Sequence, residues 1–295
     1  MSLKGTITAL ITPFQHGKLH EEELLQNIRD QIDAGVNGLL ILGSTGETPT
    51  LSNEEQTRVI TLAIHEAKGK IPVLVGTGRN CTNQTIEKSL QAQELGADGL
   101  VVVTPYYNKP SQEGIYRHYE ALSKSVSLPI YLYNVPGRTG INLELSTLVR
   151  LAGLPHIAGI KDASGSVLQM ADTLHGVQQK YPQFNILCGD DALTLPMMAL
   201  GAQGVISVVS NLVPHQVVEL VTHAANGRFD LAQQMHYYLL PLFKMAFVEV
   251  NPAPIKAAME MCGRAAGECR LPLCELLPEN RQKLFHVLQA MHLTQ

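Results

Sequence analysis

The chain has 295 residues, 45% of them apolar and 16% charged, and a net charge of −4. So apolar a composition excludes intrinsic disorder and leaves ample material for a large core. The faintly acidic balance, with no Lys/Arg block, argues against nucleic acid or an anionic membrane as a partner.

Lys4 precedes the first apolar run, TITALITP (6–13), which is too short for a signal-peptide core and stops at Pro13. His16 and His20 are four apart, but Gly17 between them makes a solvated loop the expected setting rather than a metal site. The second run is NGLLILGS (37–44), and Ser52 with Glu55 then forms a capping box opening a helix. PVLVGT (72–77), DGLVVVTP (98–105), PIYLYNVP (129–136), IAGIKDAS (157–164), FNILCGD (184–190) and GVISVVS (204–210) follow. These eight runs are β-branched and nearly continuous, as parallel strands buried on both faces should be. Ala/Leu/Glu-rich segments lie between them, and Gly35, Gly96 and Gly201 stand where left-handed C-caps are wanted. Strand starts recur at roughly the length of a βα unit. The expected fold is a (β/α)8 barrel over residues 1–226. A doubly wound sheet would want a GxGxxG turn after an early strand, and none occurs. From Gly227 the pattern is helical only: Arg228 to Val248, Pro254 to Cys262 and Pro278 to His292. Residues 227–295 are expected to form a C-terminal helical extension packed on the barrel.

Pro196 to Val213 is the most membrane-like stretch, but Gln203, Ser207, Ser210 and Asn211 interrupt it. The sparse, odd set Cys81, Cys188, Cys262, Cys269 and Cys274 does not read as a disulfide framework, and the last three match no common zinc spacing. A cytoplasmic protein with reduced thiols is expected. Asn83-Gln84-Thr85, a formal glycosylation acceptor, then carries no meaning.

Barrel enzymes work at the C-terminal ends of their strands. Those ends carry Ser44 and Thr45, Thr77, Tyr106 and Tyr107, Tyr133 and Arg138, Lys161, and Asp190 and Asp191. No His lies among them and no carboxylate cluster suits a metal. Of twelve lysines, only Lys161 stands inside an apolar strand. It is either a side chain snorkelling to the rim or a buried amine made nucleophilic by desolvation, ready to condense with a carbonyl. Burying an unpaired ammonium costs several kcal/mol, which favours the second alternative. Tyr133, one strand earlier, is either a core tyrosine or a proton carrier relayed through Ser44, Thr45 and Tyr107. Arg138 is either a surface ion pair or a fork for a substrate carboxylate. Glu47, Asp190 and Asp191 are expected as helix-start charges.

GSTGE at 43–47, TPYYNKPSQEG at 104–114, YNVPGRTG at 133–140, GIKDASG at 159–165 and NPAPIK at 251–256 occur in order along the chain. Together they resemble the dihydrodipicolinate synthase family, part of the pyruvate-dependent class I aldolase superfamily that includes the N-acetylneuraminate lyases. The resemblance spans essentially the whole chain. It implies a lyase of diaminopimelate–lysine biosynthesis that condenses pyruvate with L-aspartate 4-semialdehyde to give 4-hydroxy-tetrahydrodipicolinate. It implies no cofactor beyond the covalent pyruvate imine on Lys161. It further implies that Tyr133 relays protons and that Ser44 bridges Tyr133 to a Tyr107 from a neighbouring subunit. Thr45 would bind the pyruvate carboxylate, Arg138 the semialdehyde carboxylate, and backbone groups at Gly189 and Ile206 the pocket wall. The implied assembly is a homotetramer, a dimer of dimers. Many relatives carry Thr where this chain has Ser44; the hydroxyl is kept on a side chain less stiff at χ1.

Lysine-inhibited members place His, Glu, Asn and Tyr in a crevice between subunits. The matching positions here are Thr48, Asn53, Gln56, Asn80, Gln84 and Tyr106. Gln84 is neutral where an acid would meet the amino groups of lysine, so weak or absent inhibition is expected. The alternative enzyme is another aldolase of the superfamily, acting on sialic acid or a 2-keto-3-deoxy sugar acid. Arg138 argues against it, because a sugar acceptor wants neutral partners. A catalytically dead binding barrel would be expected to have lost Lys161 or Tyr133.

Overall fold

The computed structural model describes residues 3–294. Eight strands form a closed parallel barrel: β1 (Gly5–Ala9), β2 (Gly38–Ile41), β3 (Val73–Gly76), β4 (Gly99–Val103), β5 (Ile130–Asn134), β6 (Ile157–Asp162), β7 (Asn185–Cys188) and β8 (Gly204–Ser207). Each pairs with its sequence neighbours, and β1 closes the ring by pairing with both β8 and β2. All eight expected runs are barrel strands. The structure adds a short antiparallel hairpin, Phe14–Gln15 with Lys18–Leu19, turning at His16 and Gly17. His20 is not idle in that loop: its Nδ1 accepts the Glu23 N–H at 3.2 Å and caps the helix Glu21–Asp33.

The alternation of strand side chains makes two cores. Ile7, Leu40, Leu74, Val101, Tyr131, Leu187 and Ile206 fill the barrel interior. A larger shell, including Leu39, Ile41, Val75, Leu132 and Ile186, packs outward against the helices. The Ser52–Glu55 capping box is formed, and Gly35, Gly96 and Gly201 take the left-handed φ that ends a helix.

Beyond Gly227 come the helices Phe229–Met245, Ala253–Met261 and Pro278–Ala290. Their Leu239, Phe243, Ile255 and Leu284 belong to the same outer shell as the barrel helices, so one core runs through both parts. No helix among the described residues is long and apolar enough to cross a membrane. Among the described residues no group of three or more His, Cys, Asp or Glu side chains could hold a metal ion.

Candidate active site

A cavity of about 560 Å³ opens at the C-terminal end of the barrel, within the usual size of a small-molecule site. Ser44, Thr45, Tyr133, Arg138, Lys161 and Gly189 all line it. A wider hollow of about 910 Å³ lies at the opposite end, between Leu3, Lys68, Pro72 and Asp98. Barrel architecture puts chemistry at the first of these, and the buried titratable groups lie there too.

Lys161, next to last in β6, is in register with Tyr133 on β5. It is 5% exposed, and its Nζ lies 4.2 Å from the Tyr133 ring centroid. Burial pulls this amine down to about 8, against the opposing pull of the Asp191 charge. It makes no ion pair among the described residues, so its positive form has no carboxylate at contact. A side chain snorkelling to the rim would be exposed, whereas Lys161 is buried and its amine faces the cavity. Gly189 matters through what it lacks: a Cβ there would stand 3.0 Å from Lys161 Cγ and 2.9 Å from Ala163 Cβ.

Burial pushes the Tyr133 phenol up to about 12, against the lowering effects of the Arg138 charge and of Ser44 beside it. Such a phenol stays protonated at neutral pH. Thr45 is buried, and its Oγ1 accepts from Asn251 Nδ2 at 2.9 Å. Arg138 stands on the short helix Pro136–Thr139 at the rim, where its Nη2 donates to the Asn251 carbonyl at 3.2 Å. No acidic partner engages it among the described residues, which sets aside the surface ion pair.

Other expected residues are placed differently. Tyr107 is 88% exposed, at a φ of 69°, and this chain does not bring it to Ser44. For Ile206 the expectation concerned its backbone; its side chain lies in the barrel interior beneath the site, and Val208, two residues on, lines the cavity. All three helix-start acids stand where short helices begin, Glu47 and Asp190 at N-caps and Asp191 in a first turn, but only the Asp190 side chain makes a cap, accepting from the Ala192 N–H at 3.0 Å. Asp191 instead accepts from Ser207 Oγ, from Val208 N–H at 2.9 Å and from Val209 N–H at 3.2 Å, tying β7 to the end of β8. Burial pushes its carboxyl up to about 6. The Glu47 side chain makes no cap hydrogen bond; it is paired with Lys256.

The six positions of the lysine crevice surround the neighbouring loops without sharing one cavity in this chain. Thr48 and Tyr106 line the main cavity, and Asn53 faces a separate surface hollow. Gln56 Oε1 accepts from Arg79 at 3.3 Å, the Asn80 carbonyl accepts from Asn108 at 2.8 Å, and Gln84 is exposed.

Sequence reasoning missed Asn251, Lys256 and Arg270, although a signal existed. Lys256 sits in an apolar stretch as Lys161 does, and Asn251 opens the same NPAPIK segment. Restricting the search to strand ends passed over both.

Barrel and mouth together define a (β/α)8 enzyme built around a buried amine. A model of the dihydrodipicolinate synthetase family matches residues 2–291. The chain belongs to that family. It is 51% identical to the 4-hydroxy-tetrahydrodipicolinate synthase of Protochlamydia amoebophila, over 99% of this chain and 97% of that one. It superposes on the dihydrodipicolinate synthase of Thermotoga maritima with a TM-score of 0.97 at 41% identity, covering 99% of this chain and 100% of the other. A variant characterised as the first monomeric dihydrodipicolinate synthase matches with a TM-score of 0.97 at 42% identity, covering 98% and 97%.

Proposed function

We propose that this chain is a 4-hydroxy-tetrahydrodipicolinate synthase, condensing pyruvate with L-aspartate 4-semialdehyde through an imine on Lys161. The observation that carries this is the buried, unpaired Lys161 amine against Tyr133. At pH 7 an amine titrating near 8 is neutral about a tenth of the time. That suffices for attack on the ketone carbon of pyruvate, with loss of water. Loss of a methyl proton gives the enamine, whose carbon attacks the aldehyde. The α-amino nitrogen of the adduct then attacks the imine carbon, the ring closes, and Lys161 leaves as the free amine. Tyr133 and Ser44 carry the protons, and no cofactor is needed.

Thr45 and the loop amides receive the pyruvate carboxylate, with Gly189 leaving room beside Lys161. Arg138, bound only to a backbone carbonyl, offers its fork to the semialdehyde carboxylate. Tyr107, exposed to 88%, completes the relay of a partner subunit in a homo-oligomer built as a dimer of dimers. The charged small substrates fit a cytoplasmic enzyme. The fork favours this acceptor over a sugar aldehyde.

The test is pyruvate consumption with the semialdehyde, beside N-acetylmannosamine and small sugar aldehydes, with Lys161→Ala as control. Turnover with the semialdehyde alone, abolished in the variant, is expected. Turnover with sugars alone would overturn the proposal.

A further inference from the structure

The helical extension contributes a buried ion pair to the loop that carries Ser44 and Thr45. Lys256, on the helix Ala253–Met261, donates from Nζ to Glu47 Oε1 at 2.6 Å, and both side chains are almost wholly buried. The same ammonium donates to the Glu268 carbonyl at 2.7 Å and lies 4.6 Å from the Phe14 ring centroid. Glu47 Oε2 accepts the Arg270 backbone N–H at 2.9 Å. Each oxygen of this carboxylate is therefore held by a group from beyond residue 250.

Glu47 has a φ of 51°, a left-handed conformation uncommon outside glycine. Such a conformer persists when its surroundings over-determine it. Its N–H closes onto the Ser44 carbonyl at 3.2 Å, and the Gly46 N–H onto the Gly43 carbonyl at 3.1 Å. The direction taken at Glu47 thus sets where Ser44 and Thr45 point. A buried ion pair is a poor device for stability alone, since an apolar pair of similar volume does as well or better.

We propose that Glu47 and Lys256 are a positioning pair, anchoring the loop 43–47 to the extension so that Ser44 meets Tyr133 and Thr45 faces pyruvate. This rests on the synthase reading. The helical extension thereby becomes part of the pyruvate site.

Two double variants of the full chain test it: Glu47→Leu with Lys256→Met, and Glu47→Gln with Lys256→Gln. The readouts are thermal midpoint, borohydride trapping of pyruvate on Lys161, and KM for each substrate. The apolar pair should fold and keep a thermal midpoint near that of the wild type. Its KM for pyruvate should rise at least tenfold and its trapping fall in step, with KM for the semialdehyde moving less than threefold. The amide pair keeps a hydrogen bond at the same place and should recover most of the pyruvate KM. An apolar pair with wild-type KM for pyruvate, or with both KM values raised alike, would overturn the proposal. Should the apolar pair not fold, Glu47→Gln with Lys256→Met, which removes the donor from the extension and leaves no buried charge, carries the same comparison with the same outcomes. A wild-type protein that traps no pyruvate would overturn the synthase reading instead, so the two failures are distinguishable.

Discussion

Lys161→Met should stabilise the protein while abolishing its chemistry. The amine titrates near 8 in the fold against an ordinary 10.5. Each pH unit is worth about 1.4 kcal/mol, so holding the ammonium in the barrel costs about 3 kcal/mol at pH 7. The contact with the Tyr133 face, at 4.2 Å, offsets roughly 1 kcal/mol of this. Methionine fills a similar volume without charge, leaving a net gain of about 2 kcal/mol. For a chain of this size that raises the melting midpoint by roughly 4 °C. The sign of the pH dependence follows from linkage. The folded pKa lies below the unfolded one, so lysine is destabilising below pH 8 and its penalty fades as pH rises from 8 to 10.5. The assay is thermal unfolding of wild type and variant at pH 7 and pH 10.5, with the exposed Lys244→Met as control. The variant should be the more stable at pH 7 and equal to wild type at pH 10.5. A variant less stable at pH 7, or a gain independent of pH, would show that Lys161 is not held as a strained ammonium.

In the wild type, kcat/KM for pyruvate should climb with pH and level above about 8, as the amine loses its proton. Asp191→Asn removes a charge that supports the ammonium, so the climb should move to lower pH; an unchanged or upward-shifted profile refutes the coupling. Gly189→Ala sets a methyl 3.0 Å from Lys161 Cγ, and borohydride trapping of pyruvate should slow at least tenfold with the barrel still folded, as circular dichroism would report. L-lysine at millimolar concentration should change the rate less than twofold. Gln84 brings no charge, and Asn53 Oδ1 already accepts from Lys88 Nζ at 2.8 Å, so a cation already holds that acceptor. Half-inhibition by sub-millimolar lysine would refute this.

The barrel was legible in the chain because its signals are local. Continuous β-branched runs, glycine C-caps and the Ser52–Glu55 box act within a few residues, and strand count and spacing then leave little choice of fold. Lys161 and Tyr133 were legible for the same reason: a lysine in an apolar strand is conspicuous, and adjacent strand ends are neighbours in any parallel barrel. The partners across the mouth were not. Asn251 meets Thr45 and Lys256 meets Glu47 over some two hundred residues, and no periodicity records which loop a distant helix will cover. Asp191 is a helix-start charge as its neighbours suggest, but Ser207 at the end of β8 and the Val208 and Val209 N–H groups just beyond give it three donors that only barrel closure brings near. The sequence by itself determined the fold and the place of the buried amine, through short-range pattern and the cost of burying charge. The tertiary structure decided how the loops around that amine are held, because those contacts join segments that lie far apart along the chain.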